Sequence, residues 1–98
     1  MNITKEEGVW ISDVLPNSPA EICGLWVGDK IVSFGDCPSI EINQIKSYVE
    51  SHLNTNIGLT IVRKDITGAD EVTVLMFSPR AWSGQGYTGF ALKTNTIF

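Results

Sequence analysis

Residues 18 to 24 write out both ends of one helix. Ser18-Pro19-Ala20-Glu21 sets a capping side chain, a proline at the first helical position and a glutamate at the third. The Ser18 hydroxyl is placed to accept from the Glu21 amide, and the Glu21 carboxylate to reach back to the Ser18 N–H. Gly24 then stops the helix by taking a left-handed conformation. This helix is shorter than two turns, which leaves most of the core to the apolar segments around it.

Those segments change type along the chain. Val9 to Val14 is β-rich and apolar, bounded by Gly8 and by Pro16-Asn17. Gly28-Asp29 makes a turn, and Ile31 to Phe34 reads as a buried strand ended by Gly35-Asp36. From Glu41 to Leu53 the period shifts: Ile42, Ile45, Val49 and Leu53 recur at steps of three and four, an amphipathic helix of about three turns. Gln44 and Tyr48 lie on the flank of that stripe, and Asn54 to Gly58 ends it. Gly58 to Arg63 and Glu71 to Phe77 enclose a turn at Asp65 to Asp70 that contains Gly68, a hairpin signature. After Pro79-Arg80 comes a glycine-punctuated segment, Gly84 to Gly89, and then Phe90-Ala91-Leu92 as a last short strand. The order predicts an α+β fold, a small and mostly antiparallel barrel or sandwich of five to six strands with two helices.

Composition bounds what such a fold does. Ninety-eight residues make one domain, and 43% hydrophobic against 18% charged is globular rather than disordered. Eleven acidic against seven basic residues give a net charge of −4, whereas a phosphate-backbone binder needs a basic face, so nucleic acid is not expected. No apolar run approaches the roughly 18 residues of a membrane span, and Met1 to Glu7 lacks the apolar stretch of a signal peptide. Cys23 and Cys37 form no Cys-x-x-Cys pair and have no second His for a metal set, so no metal and no cofactor are expected. Two small apolar thiols in a reducing compartment fit best, although their spacing leaves a disulfide open. A cytosolic or nuclear monomer is the expectation.

Catalysis finds no support. Gly84-Gln85-Gly86-Tyr87-Thr88-Gly89 matches the dinucleotide fingerprint letter for letter, but that motif must open a long helix and be followed by an acidic residue. Here nine residues remain, none acidic, and they read as a strand. His52 is the single histidine, at the end of the long helix, and no Gly-x-Ser-x-Gly frames a nucleophile. Asp29, Asp36, Asp65 and Asp70 all fall in turns, where aspartate bonds its neighbouring backbone. Two structures fit the glycine segment before Phe90. One is a plain turn. The other is a nest of converging amides that, beside an exposed strand edge, captures a C-terminal carboxylate by β-augmentation.

The run Gly8-Val9, Ser18-Pro19-Ala20, Gly24-Leu25, Gly28-Asp29-Lys30-Ile31-Val32 and Phe34-Gly35, with Val62-Arg63 later, resembles PDZ domains from about Gly8 to Leu92. In signalling PDZ domains the carboxylate loop, usually Gly-Leu-Gly-Phe, stands at the start. Here its counterpart, Tyr87-Thr88-Gly89-Phe90, lies at the C-terminal end, as in a circularly permuted PDZ domain. Together with Pro79-Arg80-Ala81-Trp82-Ser83-Gly84-Gln85-Gly86, this arrangement is similar to the proteasome non-ATPase regulatory subunit nine family. The resemblance implies a PDZ domain over residues 8–93, with residues 1–7 and 94–98 as flexible termini. It implies a non-catalytic module in a chaperone for assembly of the proteasome regulatory particle, whose ligand is the C-terminal tail of a base ATPase. Amides of Thr88, Gly89 and Phe90, following Tyr87, would hold the carboxylate. Phe90 and Leu92 would line the last side chain's pocket, with Ala91 between them on the same edge. Gln44, Ile45 and Tyr48 would face the peptide from the long helix, and Arg80 would add positive potential or remain a solvated charge. Tyr87 and Thr88 depart from the usual Gly-Leu, so ligand preference does not transfer, and the given sequence starts almost at the PDZ-like run, as an excised domain or a shortened homologue would, where the family carries an N-terminal helical region. A permuted loop also occurs in regulatory PDZ domains of serine or membrane proteases, which present substrate tails to a separate catalytic domain; that is the alternative.

Overall fold

Five strands and two short helices build one sheet with a helix layer against it. The computed structural model describes residues 8–94. Its elements are β1 (Val9–Val14), α1 (Pro19–Cys23), β2 (Lys30–Phe34), α2 (Ile42–Ser51), β3 (Ile57–Lys64), β4 (Asp70–Phe77) and β5 (Phe90–Thr94). The strands lie in the order β4-β3-β2-β1-β5, and every neighbouring pair is antiparallel. The expected α+β class and element order are therefore present, with five strands in a single sheet. Thr94, read from the sequence as tail, pairs with Val9 at the end of β5; residues 1–7 and 95–98 lie outside the described residues.

The cap on α1 forms with one change. Ser18 Oγ accepts from the Glu21 amide at 3.2 Å and donates to the Leu15 carbonyl at 2.8 Å. The Glu21 carboxylate takes the Asn17 amide at 2.9 Å instead of the Ser18 N–H. The turn through Pro16 and Asn17, with Asn17 at φ 62°, brings that earlier amide into reach. Gly24 caps the other end at φ 97°.

Alternation sorts the strand residues onto two faces, and in β2 a register shift against β3 between Ile31 and Ser33 lets both Ile31 and Phe34 turn inward. Val9, Ile11, Ile31, Phe34, Leu59, Ile61 and Phe77 are buried, and α2 adds Ile45 and Val49. Three phenylalanines join at the centre: Phe34 meets Phe77 edge-on at 5.9 Å and Phe90 at 6.4 Å, and Phe77 and Phe90 stand 5.5 Å apart. The fully buried Phe34 and Phe77 rings each contribute about 1.5–3 kcal/mol over their exposed state, and the half-buried Phe90 less. Ile42 and Leu53 pack at the margin of this core. Leu53 lies beyond the helix, which ends at Ser51 with His52 as its cap.

One ion pair is buried with the core. Asp29 is 1% exposed and receives Arg63 through two parallel bonds, Nε at 3.0 Å and Nη2 at 2.7 Å. The same carboxylate accepts the Trp26 amide at 2.8 Å, while Arg63 also donates to the Gly24 carbonyl at 3.0 Å. The Arg63 guanidinium stacks over the Trp26 ring at 4.0 Å. With its lone pairs satisfied, the carboxylate fixes the turn after α1 onto β3.

Candidate functional site

The sheet ends at β5, whose one side is paired to β1 and whose other side faces α2. Between strand and helix runs a groove of about 370 Å³. Ile42, Ile45 and Val49 from α2 and Phe90 and Leu92 from β5 make its walls apolar. Lys46 and Glu50 stand along the helix side, and Gly86, Tyr87 and Thr88 close one end. β1 and β5 shift register between Ile11 and Asp13, a bulge that adds local twist to this edge.

The closing loop is built from backbone bonds. The carbonyl of Tyr87 accepts from the Arg80 amide at 3.0 Å, that of Thr88 from Ala20 at 2.9 Å, and that of Gly89 from Leu15 at 2.8 Å. A trans peptide places its C=O and the following N–H on opposite sides, and the described residues contain no cis bond. With the Thr88 and Gly89 carbonyls held by the body of the fold and the Tyr87 carbonyl by Arg80 earlier in the same loop, the amides of Thr88, Gly89 and Phe90 turn to the opposite side. The bond from Leu15 to Gly89 also brackets the Val14–Phe90 pair, so the alternation of an antiparallel ladder points the Phe90 N–H and C=O to the open edge.

Gly89 is fixed by what lies against it. It holds φ 76°, and a Cβ there would collide with Cβ and Oγ of Ser18. Ser18 is itself fully buried, so it cannot swing out of the way into solvent. The loop thus sits directly on the cap of α1.

The residues expected at a site from sequence separate into two groups. Tyr87, Thr88, Phe90, Leu92 and Ile45 all line the groove, and Gly89 joins them along the chain. Ala91 is exposed and pairs with Asp13 of β1, which leaves its side chain off the groove wall. The Arg80 side chain is exposed while its amide holds Tyr87. Gln44 and Tyr48 are not on the groove. Gln44 is exposed, and the Tyr48 hydroxyl donates to Asp36 Oδ1 at 2.6 Å while its ring stacks on His52 at 3.9 Å. The apolar stripe of α2 has two flanks, and β5 lies on the side of Lys46 and Glu50. Those two, with Ile42, Val49 and Gly86, are groove residues that the sequence reading did not select; Ile42 and Val49 carried only a core signal there.

Nothing reactive gathers in the groove. His52 Nδ1 lies 2.8 Å from the Tyr48 carbonyl, on the far flank of the helix. The Tyr48 bond holds the Asp36 carboxyl below the usual carboxylate range and raises the Tyr48 phenol. Both cysteines are free thiols: Cys23 donates to the Ala20 carbonyl and is pushed up by burial, and Cys37 donates to Ser39. Among the described residues no His, Cys, Asp and Glu side chains group as a metal site, and no helix is long and apolar enough to cross a membrane. Residues 84 to 89 lead into β5 and not into a helix, so the fingerprint glycines lack the helix N-terminus that a pyrophosphate requires.

Comparison with known proteins gives the same arrangement a family. Over 85 residues the chain is 33% identical to the 26S proteasome non-ATPase regulatory subunit 9 of Drosophila melanogaster, covering 83% of this chain and 36% of that protein. It is 30% identical over 82 residues to the human protein of the same name, covering 81% and 34%. A probable 26S proteasome regulatory subunit p27 of Schizosaccharomyces pombe is 24% identical over 84 residues, covering 85% and 38%. The chain thus spans about a third of the length of these relatives. The model of the PDZ domain matches residues 10–63, from β1 into β3, and by that match the chain belongs to the PDZ domain family.

Proposed function

We propose that the chain is a non-catalytic module that takes a protein C-terminus into the groove between β5 and α2. The observation that carries this reading is the anchoring of three successive carbonyls at Tyr87, Thr88 and Gly89, which turns three amides outward at the closed end of an apolar groove. A terminal carboxylate accepts several such amides in charge-assisted bonds. The peptide behind it adds a strand to β5 through the outward groups of Phe90, and its last side chain enters the apolar walls of Ile45, Val49, Phe90 and Leu92. Lys46 and Glu50 meet the residues upstream.

The names of the relatives direct the choice of ligand. Proteins called proteasome regulatory subunits are similar to this chain over most of its length, and the reading is that its ligand is the C-terminal tail of an ATPase of the regulatory particle. Its role is then that of an assembly chaperone working in the cytoplasm or nucleus. The test is a titration of the ¹⁵N-labelled chain with the C-terminal peptides of those ATPases. Saturable shifts at Thr88, Gly89 and Phe90 and along Ile42, Lys46 and Val49 support the reading. Shifts elsewhere on the sheet, or none with any of the tails, overturn it.

A further inference from the structure

β4 closes the opposite edge of the sheet without the features that keep strand edges apart. A free edge offers unpaired N–H and C=O groups to any other strand, and proteins blunt it with lysine, proline, bulges or shortness. β4 runs for eight residues, contains neither lysine nor proline, and pairs with β3 from Asp70 to Phe77 without a register shift. Past Asp70 at its start, its outward side chains are apolar and open to water: Val72 is 67% exposed, Val74 67% and Met76 60%.

We propose that two copies of the chain pair through β4, antiparallel about a two-fold axis at Val74, joining their sheets into one. Residues directly opposite in an antiparallel ladder point to the same face, and this register respects that rule. Val74 meets its own copy, and Val72 falls opposite Met76 of the other copy. The three exposed side chains of each strand then merge into one apolar strip. On the inner face half-buried Thr73 meets Leu75 of the other copy, so each core continues into the next. Charge selects the antiparallel direction. Both acids of β4, Asp70 and Glu71, sit at one end, where Asp70 is ion-paired with Lys64 and Glu71 lies across from Arg63. Antiparallel pairing sets Glu71 opposite Phe77 and Asp70 opposite Ser78, whereas a parallel copy would lay acid on acid. An isologous contact of this kind closes at two copies and leaves the groove at β5 open. It departs from the monomer expected from the sequence.

Sedimentation of the 98-residue chain from micromolar to millimolar concentration tests this. The wild type should pass from monomer to dimer across that range. Val74→Lys and Val74→Glu each place like charges face to face on the axis and should weaken the dimer by about tenfold or more. Val74 is largely exposed, so at dilute concentrations where the wild type is monomeric both variants should keep its melt. An equimolar mixture of the two should restore the dimer as a heterodimer. A wild type that stays monomeric throughout, a dimer indifferent to Val74→Lys, or a mixture that stays apart would each overturn the proposal.

Discussion

The two edges of the sheet are held in different ways. β5 is reached through a loop whose carbonyls bond to Leu15 and Ala20, far off in the chain, and to Arg80 within the same connection. β4 is reached through a turn that stabilises itself. There the Asp65 carboxylate accepts from the Thr67 amide at 2.8 Å, the Thr67 hydroxyl at 2.6 Å and the Ala69 amide at 3.0 Å. A substitution at the first edge therefore disturbs the packing of α1 and β1, and one at the second disturbs a hairpin. An edge that must present amides in a fixed direction is braced from outside, and an edge that only has to be regular is not.

The largest effect should come from a pair of glycines, one at each edge. Gly89 and Gly68 hold similar left-handed angles, φ 76° and 87°. Gly89 has Ser18 against it, and Gly68 has open space. Gly89→Ala combines backbone strain with overpacking and should cost about 2–5 kcal/mol. That lowers the melting temperature by at least about 8 °C in a domain of this size. Next comes Ser18→Ala, which removes the cap from the Glu21 amide and the donor to Leu15 and should cost about 2 kcal/mol. The backbone bonds from Ala20 and Leu15 to the loop survive it, so peptide affinity of the folded variant should change by less than about threefold. Gly68→Ala carries strain alone and should cost about 1 kcal/mol. Thermal melts of the three variants check the ranking. Equal losses for Gly89→Ala and Gly68→Ala would erase the distinction between a braced and a free turn.

The smallest effect concerns the flank of α2 that faces away from β5. The Tyr48 hydroxyl depresses the Asp36 carboxyl below its unfolded value. A depressed folded value means that this bond contributes stability at neutral pH and that the contribution fades as pH falls from the unfolded value through the lower folded one. Tyr48→Phe should thus be slightly less stable than wild type near neutrality and converge with it in acid, with peptide binding unchanged. Melts across pH check the first point. A gap between the two that stays constant into acid would assign the effect to packing of the ring instead of the Asp36 bond.

Local signals were legible in the sequence and relations across it were not. Ser18, Pro19, Glu21 and Gly24 define α1 within a few residues of chain, so its limits could be read directly. The glycine segment before Phe90 pointed to the loop, because positive φ and close approach need glycine wherever they occur. The period of Ile42, Ile45 and Val49 gave the buried stripe of α2 but not which flank meets β5. Choosing Gln44 and Tyr48 over Lys46 and Glu50 was a choice of side that only the packed sheet decides. The contact of Ser18 with Gly89 and the fork of Arg63 on Asp29 join positions with no shared local pattern, the latter 34 residues apart.

The claim that the loop presents its amides to a carboxylate is tested most directly by one comparison. A C-terminal peptide from a regulatory-particle ATPase and the same peptide with its terminus amidated are titrated against the chain by calorimetry. Amidation removes the charge that the Thr88, Gly89 and Phe90 amides would hold, and should weaken binding by about 2 kcal/mol, about thirtyfold in Kd. Equal affinity for the acid and the amide would contradict the account.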